Sequence, residues 1–409
     1  MSALANFGSG PQARYRDASA SSRRSRRPMV RTFTAFFCSV IPAAMTMGLE
    51  LNAQEVGDRE PPGLTKPVDL PPFDPHRPPC TAPPDLQRLL VFAQDNEREF
   101  MQGVSRGLAQ AAADRALAFR VDLANNNATR MNEQLEALVT ERAGAVVIAP
   151  VDADAVSRRL QRLIWRGSYV GAVVPPPAVS ILNAPQYLTG RALADEAAAH
   201  IKSRLSGKAR VVLLTHDSLQ FLAPRFTAMR DVLSELPGVS IIADISPLTV
   251  NKEGGLATMR TILLAHPDVD VVLGADTVVL GALAAVREAG KERVDQFFGG
   301  IDGEPEAVAE LKQGGVYRAS ISLASPVFGY AMGQHAADWL EGKSIPQAMD
   351  ILPRALTLTN IARYEADFAN PARVYRVESD RALYLRMYGH ICFDTRANYI
   401  NFPWSSELR

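Results

Sequence analysis

The stretch "RLLVFAQDNEREFMQG" (residues 88–103) decides how the fold is read. Its apolar run, Leu89 to Ala93, stops abruptly at four polar or charged residues, Gln94 to Glu97. A helical pattern then runs from Phe100 to about Arg115. A continuous apolar run, rather than strict alternation, is what a strand covered on both faces requires. Strand, polar tip and helix together make the repeating unit of a parallel sheet.

The unit recurs. "FRVDLA" (119–124) precedes a helix near Met131–Arg142, "AVVIAP" (145–150) precedes Ala153–Arg166, and "YVGAVV" (169–174) closes a first series. After Pro175–Pro177 a second series begins with a helix near Arg191–Leu205. It continues through "ARVVLL" (209–214), a helix near Pro224–Leu236, "VSIIADI" (239–245), a helix near Gly255–Ala265, "VDVVLGA" (269–275), a helix near Thr277–Ala289 and "QFFGGI" (296–301). Two series on either side of a proline break predict two doubly wound α/β lobes.

Composition narrows the function. Acidic and basic residues balance at 44 each among 409, so no global field recruits nucleic acid or an anionic membrane. The six histidines show no metal-ligand spacing, and no nucleophile-elbow or phosphate-loop pattern occurs, so neither an enzyme, a metal site nor a cofactor is expected.

The first 53 residues have the order of a secretory signal with an N-terminal extension. A basic flank ends in "SRRSRRP", the apolar run "FTAFFCSVIPAAMTMGL" starts at Phe33, and Ala53 is a candidate cleavage site. A retained anchor is the alternative, although Ser39 and Pro42 make the run marginal for a span. Met29 would start a more typical signal. Residues 54–85 are a proline-rich linker in which neither helix nor strand can persist. Export would leave Cys80 and Cys392 as the remaining thiols, either as a disulfide or as two unrelated thiols.

In open α/β sheets, ligands bind beyond the carboxyl ends of the strands. The residues there are Gln94, Asp95 and Asn96 with Phe100 and Met101 after the first strand, "NNN" (125–127) after the second, and "PVDAD" (150–154) after the third. In the second lobe "THDSLQF" precedes Arg225, while Asp276 and Asp302 follow their strands directly. Polar groups and arginines converging on one face suit a small polar ligand. Asp276 and Asp302 could instead cap the helices that follow them, Arg225 could be a surface arginine, and Asn127 reads as a turn and helix cap.

Three segments resemble the type I periplasmic substrate-binding proteins of the ribose and galactose class, which deliver solutes to ABC importers: "GAVVIAPVDADAV" (144–156), "LLAHPDVDVVLGADTVVLGALAAVREAG" (263–290) and "FFGGIDGEPEAVAELKQGG" (297–315). The likeness spans roughly Leu86–Leu356. It implies two lobes joined by a three-strand hinge that closes on ligand, with crossovers near Val174–Val179, Asp302–Glu304 and Leu323–Pro326. The first lobe would then hold 86–176 with a 304–325 crossover and 326–356, and the second lobe 177–303. By position, Arg225 matches the family's guanidinium on sugar hydroxyls, Asp276 and Asp302 its carboxylate acceptors, and Phe100 with Met101 its apolar platform. Val174 and Pro175 stand where ribose binders have an Asp-Arg pair, so the expected ligand is a sugar, polyol or sugar derivative other than ribose.

The expected role is a periplasmic, monomeric solute binder that serves an ABC permease. The alternative is a receptor presenting its bound form to a membrane sensor, a sensor kinase or a chemoreceptor. Residues 357–409 extend beyond the resemblance and hold nine aromatics between Tyr364 and Trp404, too many for a disordered end. They are expected to fold against the lobes near the hinge or linker, or to form a docking surface for the sensor.

Overall fold

In the computed structural model, residues 68–173, 177–216 and 220–407 are described. The expected signal (1–53), linker residues 54–67 and the positions Val174 and Pro175 lie outside the described residues.

The first five strands are β1 Gln87–Gln94, β2 Ala118–Leu123, β3 Ala143–Ile148, β4 Tyr169–Ala172 and β5 Ser180–Asn183. The helices between them are α1 Glu99–Asp114, α2 Ala128–Glu141 and α3 Ala153–Trp165. Then come α4 Gln186–Arg204, β6 Lys208–Leu214, α5 Ala223–Ser234, β7 Gly238–Ile245, α6 Lys252–Ala265, β8 Val271–Leu273, α7 Asp276–Glu288, β9 Phe297–Asp302, α8 Pro305–Lys312 and β10 Tyr317–Ser322. The remainder is α9 Ser325–Leu340, β11 Ala348–Ile351, β12 Arg354–Leu356, α10 Ile361–Ala369, α11 Pro371–Arg376, α12 Glu378–Arg381 and β13 Leu385–Tyr388.

Two sheets result. One has the order β13-β11-β5-β4-β3-β1-β2 and the other β12-β10-β9-β8-β6-β7, each parallel except at β13 and β12. Both faces of the second sheet are covered. On β6, Val211 and Leu213 join the core beneath α4 and α5, while Val212 and Leu214 join the core that holds Met259 of α6 and Val279 of α7. Alternate residues point to opposite faces, and each finds an apolar partner layer. In the first lobe α1 lies directly on α9, because Gly107 and Gly329 let the backbones meet. A Cβ on Gly107 would collide with the Pro326 carbonyl, and one on Gly329 with that of Val104.

Of the three expected crossovers, the one near Leu323–Pro326 is where the chain crosses, and the other two differ. Ser180–Asn183 pairs in parallel with β4 and β11, so the chain leaves the first sheet after Asn183 rather than at 174–179. The proline break joins neighbouring strands of one sheet, and the buried strand after it is only four residues long. No crossing occurs near Asp302–Glu304 either. Tyr317–Ser322 pairs with β9, so residues 304–322 belong with the second sheet, and the chain returns at 323–324. The third crossing lies between β11 and β12, which pair with different sheets. Ala324 at the second crossing sits at φ 44°, a conformation uncommon outside glycine.

The tail packs on the body. It crosses back after β12 and adds β13 antiparallel to β11. Tyr364, Tyr384, Tyr399, Phe402 and Trp404 are buried, and the Tyr364 hydroxyl meets Ser322 Oγ at 2.6 Å beside the second crossing. The N-terminal segment lies along β13, where Phe73 N donates to Met387 O and Gly389 N to Pro71 O. Cys80 and Cys392 are joined in a disulfide with Cα atoms 6.3 Å apart.

Candidate functional site

The tip of β1 folds into a small polar network. Gln94 is buried, and its amide donates to the Asn96 carbonyl. Asp95 accepts from Asn96 N at 2.8 Å and from Arg98 Nη2 at 2.8 Å. Asn96 Nδ2 reaches Asn126 Oδ1 at 2.9 Å, tying the tip of β1 to that of β2. Asn125 and Asn126 both adopt positive φ, which asparagine tolerates, and Asn127 caps α2 by accepting from Arg130 N. Burial pushes the Asp95 carboxyl up, with Arg98 opposing.

Phe100 and Met101 separate. Phe100 is half-buried against the Phe328 ring at 5.6 Å, but Met101 is buried within the lobe's core. Neighbours on a helix point about 100° apart, so a pair cannot present both rings and thioether to one cleft. The expected two-residue platform reduces to Phe100.

In the second lobe the three expected residues behave differently. Arg225 is buried on α5, not at the surface, and its Nε donates to Gln186 Oε1 at 3.0 Å. Its charge opposes the rise that burial imposes on Asp302, and Arg98 of the first lobe acts on the same carboxylate. Burial in turn lowers Arg225, with Asp302 opposing. Asp302 is half-buried and ends β9 at φ 121°, a strained geometry of the kind that collects at ligand sites. Asp276 is fully buried and saturated from its own lobe. It accepts from Tyr317 Oη at 2.6 Å, from Ser320 Oγ at 2.8 Å and from Glu304 N at 2.9 Å. Burial raises it to about 6. Neither aspartate is a helix cap, since α7 and α8 are capped at Ala275 and Glu304 without side-chain bonds.

Four further residues belong to this region. Arg98 links the two lobes electrostatically through Asp302. Glu304 is pushed up to about 8 by burial and then by Asp302, Asp276, Glu306 and Glu99, which places a first-lobe carboxylate within its field. Gln186 orients Arg225. Thr215, just past β6, is buried with its hydroxyl unpaired among the described residues. Arg98 and Thr215 stand in the strand-end segments that the sequence singles out. Gln186 follows a strand too short to recognise, and Glu304 looks like an ordinary residue before a helix-starting proline. The arrangement offers fixed donors and acceptors at the ends of both sheets, suited to hydroxyl groups.

Residues 89–344 match the family model described as "Periplasmic binding protein domain". The chain is 26% identical over 261 residues to the ribose import binding protein of Bacillus subtilis (strain 168), covering 61% of this chain and 80% of that one. It is 25% identical over 286 residues to the xylitol-binding protein of Mycolicibacterium smegmatis, covering 68% and 79%. The crystal structure of the Caulobacter myo-inositol binding protein, bound to myo-inositol, superposes with a TM-score of 0.56 at 26% identity, covering 67% of this chain and 94% of that one.

Proposed function

The chain belongs to the periplasmic binding protein domain family, and from that premise we propose that it captures a sugar, polyol or sugar derivative between its lobes for an ABC importer. The observation that carries this reading is the placing of a buried guanidinium, Arg225 held by Gln186, near a half-buried carboxylate, Asp302 at the end of β9, so that each lies within the other's field, with Arg98 acting from the other lobe. A donor fork beside an acceptor suits adjacent hydroxyls, and hydrogen bonds to charged groups contribute about 1.5–3 kcal/mol each. Three or four such bonds plus apolar burial against Phe100 approach the roughly 8 kcal/mol of micromolar binding. Relatives named for ribose, xylitol and myo-inositol support the polyhydroxylated class. Export through residues 1–53 and action in the periplasm as a monomer, without nucleic acid, belong to the same reading.

The test is a thermal-shift screen over sugars, polyols, amino acids and autoinducer-like compounds, followed by calorimetry on hits. At a hundredfold excess over Kd a true ligand stabilises the folded state by about 2.7 kcal/mol, a Tm rise of several degrees. A polyhydroxylated hit that is lost in Arg225→Ala is expected. If only amino acids or autoinducer-like compounds raise Tm, the ligand class is wrong. Permease and ATPase genes beside this one would favour import, and a sensor kinase without them would favour the receptor alternative.

A further inference from the structure

Away from the interlobe cleft, a cavity of about 420 Å³ lies between residues 73–79 of the N-terminal segment, the C-terminal half of α9 and the tail. A volume of that order is typical of small-molecule sites. Phe73, Ile345 and Leu385 supply apolar wall. His335 of α9 lines it at 2% exposure, with no hydrogen-bond partner on either ring nitrogen among the described residues. A buried polar group without a partner is costly, and native folds keep few of them. Burial lowers His335 to about 4, with Asp338 opposing and Arg381 reinforcing, so the ring is neutral near pH 7. Both ring nitrogens are covered, so His335 forms the floor of the cavity and senses the charge of what fills it rather than bonding it.

The charges around the cavity are unevenly satisfied. Lys343 is neutralised by Asp338 at 3.0 Å and by Glu341 at 2.9 Å. Arg381 bonds the Tyr375 carbonyl and lies over its ring. Neither Arg381 nor Arg77 pairs with a carboxylate among the described residues, and Glu378 is the acid on the lining that has no cation partner there. Arg386 on the lining likewise makes no ion pair among the described residues, and three available guanidiniums against one available carboxylate favour an anion.

We propose that this cavity is a second ligand site, separate from the cleft, that binds a small carboxylate through Arg77, Arg381 and Arg386, with His335 in its floor. The site depends on the two extensions that flank the lobes. The N-terminal wall is held beside it by the Cys80–Cys392 bond, and the tail supplies Arg381.

The test uses the exported chain with its histidines labelled with nitrogen-15, the His335 signals being identified by their loss in His335→Phe. Sodium gluconate and sodium galacturonate are titrated at pH 7, with glucitol and sodium chloride as controls. At least one of the two acids is expected to move the His335 signals saturably, with neither control doing so. Arg77→Ala and Arg381→Ala should each weaken the effect about tenfold or more. Arg77 is exposed at a bend, so its variant tests the site even if the other substitutions impair folding. Arg225→Ala should leave the titration unchanged, which separates this site from the cleft. Failure of both acids to shift His335, an equal response to glucitol, or loss of the response in Arg225→Ala with retention in Arg381→Ala would each overturn the proposal.

Discussion

The Tyr317 hydroxyl donates to Asp276 Oδ1 across 2.6 Å inside the second lobe, and with Ser320 and the Glu304 amide it satisfies that carboxylate completely. Asp276 therefore braces β10 and the α8 start against α7, whereas Asp302 has no such donor set among the described residues and, under the proposed reading, is the acceptor that meets the ligand. Asp276→Asn puts an NH2 group among three donors. It is expected to lower stability by about 1–3 kcal/mol, read as the denaturation midpoint. Ligand affinity should change far less than in Asp302→Asn, which should lose about tenfold or more. An Asp276→Asn protein with wild-type stability and abolished binding would reverse the two roles.

Glu304 gives the protein a pH signature. Its folded-state value is raised from the ordinary 4.5 to about 8, by burial and by four neighbouring carboxylates. The folded state thus holds this proton more tightly than the unfolded chain. The contribution is present in full below about pH 4.5 and is lost as pH rises through about 8. Tm measured across that window should fall less steeply in Glu304→Gln than in the wild type. Parallel curves would mean that the carboxylate escapes its neighbours in solution.

The α1–α9 contact is a second place where one atom matters. Gly107→Ala places a methyl group against the Pro326 carbonyl and the Tyr330 amide, both backbone and both unable to swing away. The helices must separate, and overpacking of this kind costs about 1–3 kcal/mol. Chemical denaturation should report that loss. Because α1 also carries Phe100 and follows the β1 tip, a weaker ligand affinity should accompany it. Full stability would show that the helices slide freely.

What was legible in the sequence follows from length and locality. The apolar runs that mark β1, β3, β4, β6, β8 and β9 are continuous because both sheet faces are covered, whereas β2 and β7 are half-exposed edge strands legible through their place in the strand–helix repeat. β5, β11, β12 and β13 span three or four residues each, too few to show a period, which shifts the first lobe boundary, and the mixed polar run "YRASIS" of β10 hides the strand that shifts the second. That Arg225 and Asp302 lie at or beyond strand ends was legible, because such a position is a local property. The role of Asp276 was not, since its donors Tyr317 and Ser320 arrive from a strand about forty residues later. Met101 is buried beside half-buried Phe100, and their adjacency in sequence says nothing about the helix face each occupies.

The disulfide gives the last prediction, and its size can be bounded from both sides. Cys80 and Cys392 lie 312 residues apart, and in the chain-entropy model closing so long a loop is worth roughly 5 kcal/mol, an upper figure. The N-terminal segment has other attachments. Cys80 N donates to Gly342 O at 2.6 Å, Thr81 N to Asp394 Oδ2 at 2.7 Å, and Trp404 Nε1 to Val68 O at 3.1 Å. These bonds keep the segment in place in the native state, so Cys80→Ala with Cys392→Ala should still fold, with the loss falling mainly on the constraint in the unfolded chain. Its denaturation midpoint should drop by about 2–5 kcal/mol equivalent, and a reductant should lower the wild type to match while leaving the variant alone. Protease should then cut first near residues 74–79, which are exposed and lack strand pairing. An unchanged midpoint with unchanged protection would mean that hydrogen bonding and the buried aromatics of the tail hold the extensions unaided, and that the bridge adds nothing to the fold.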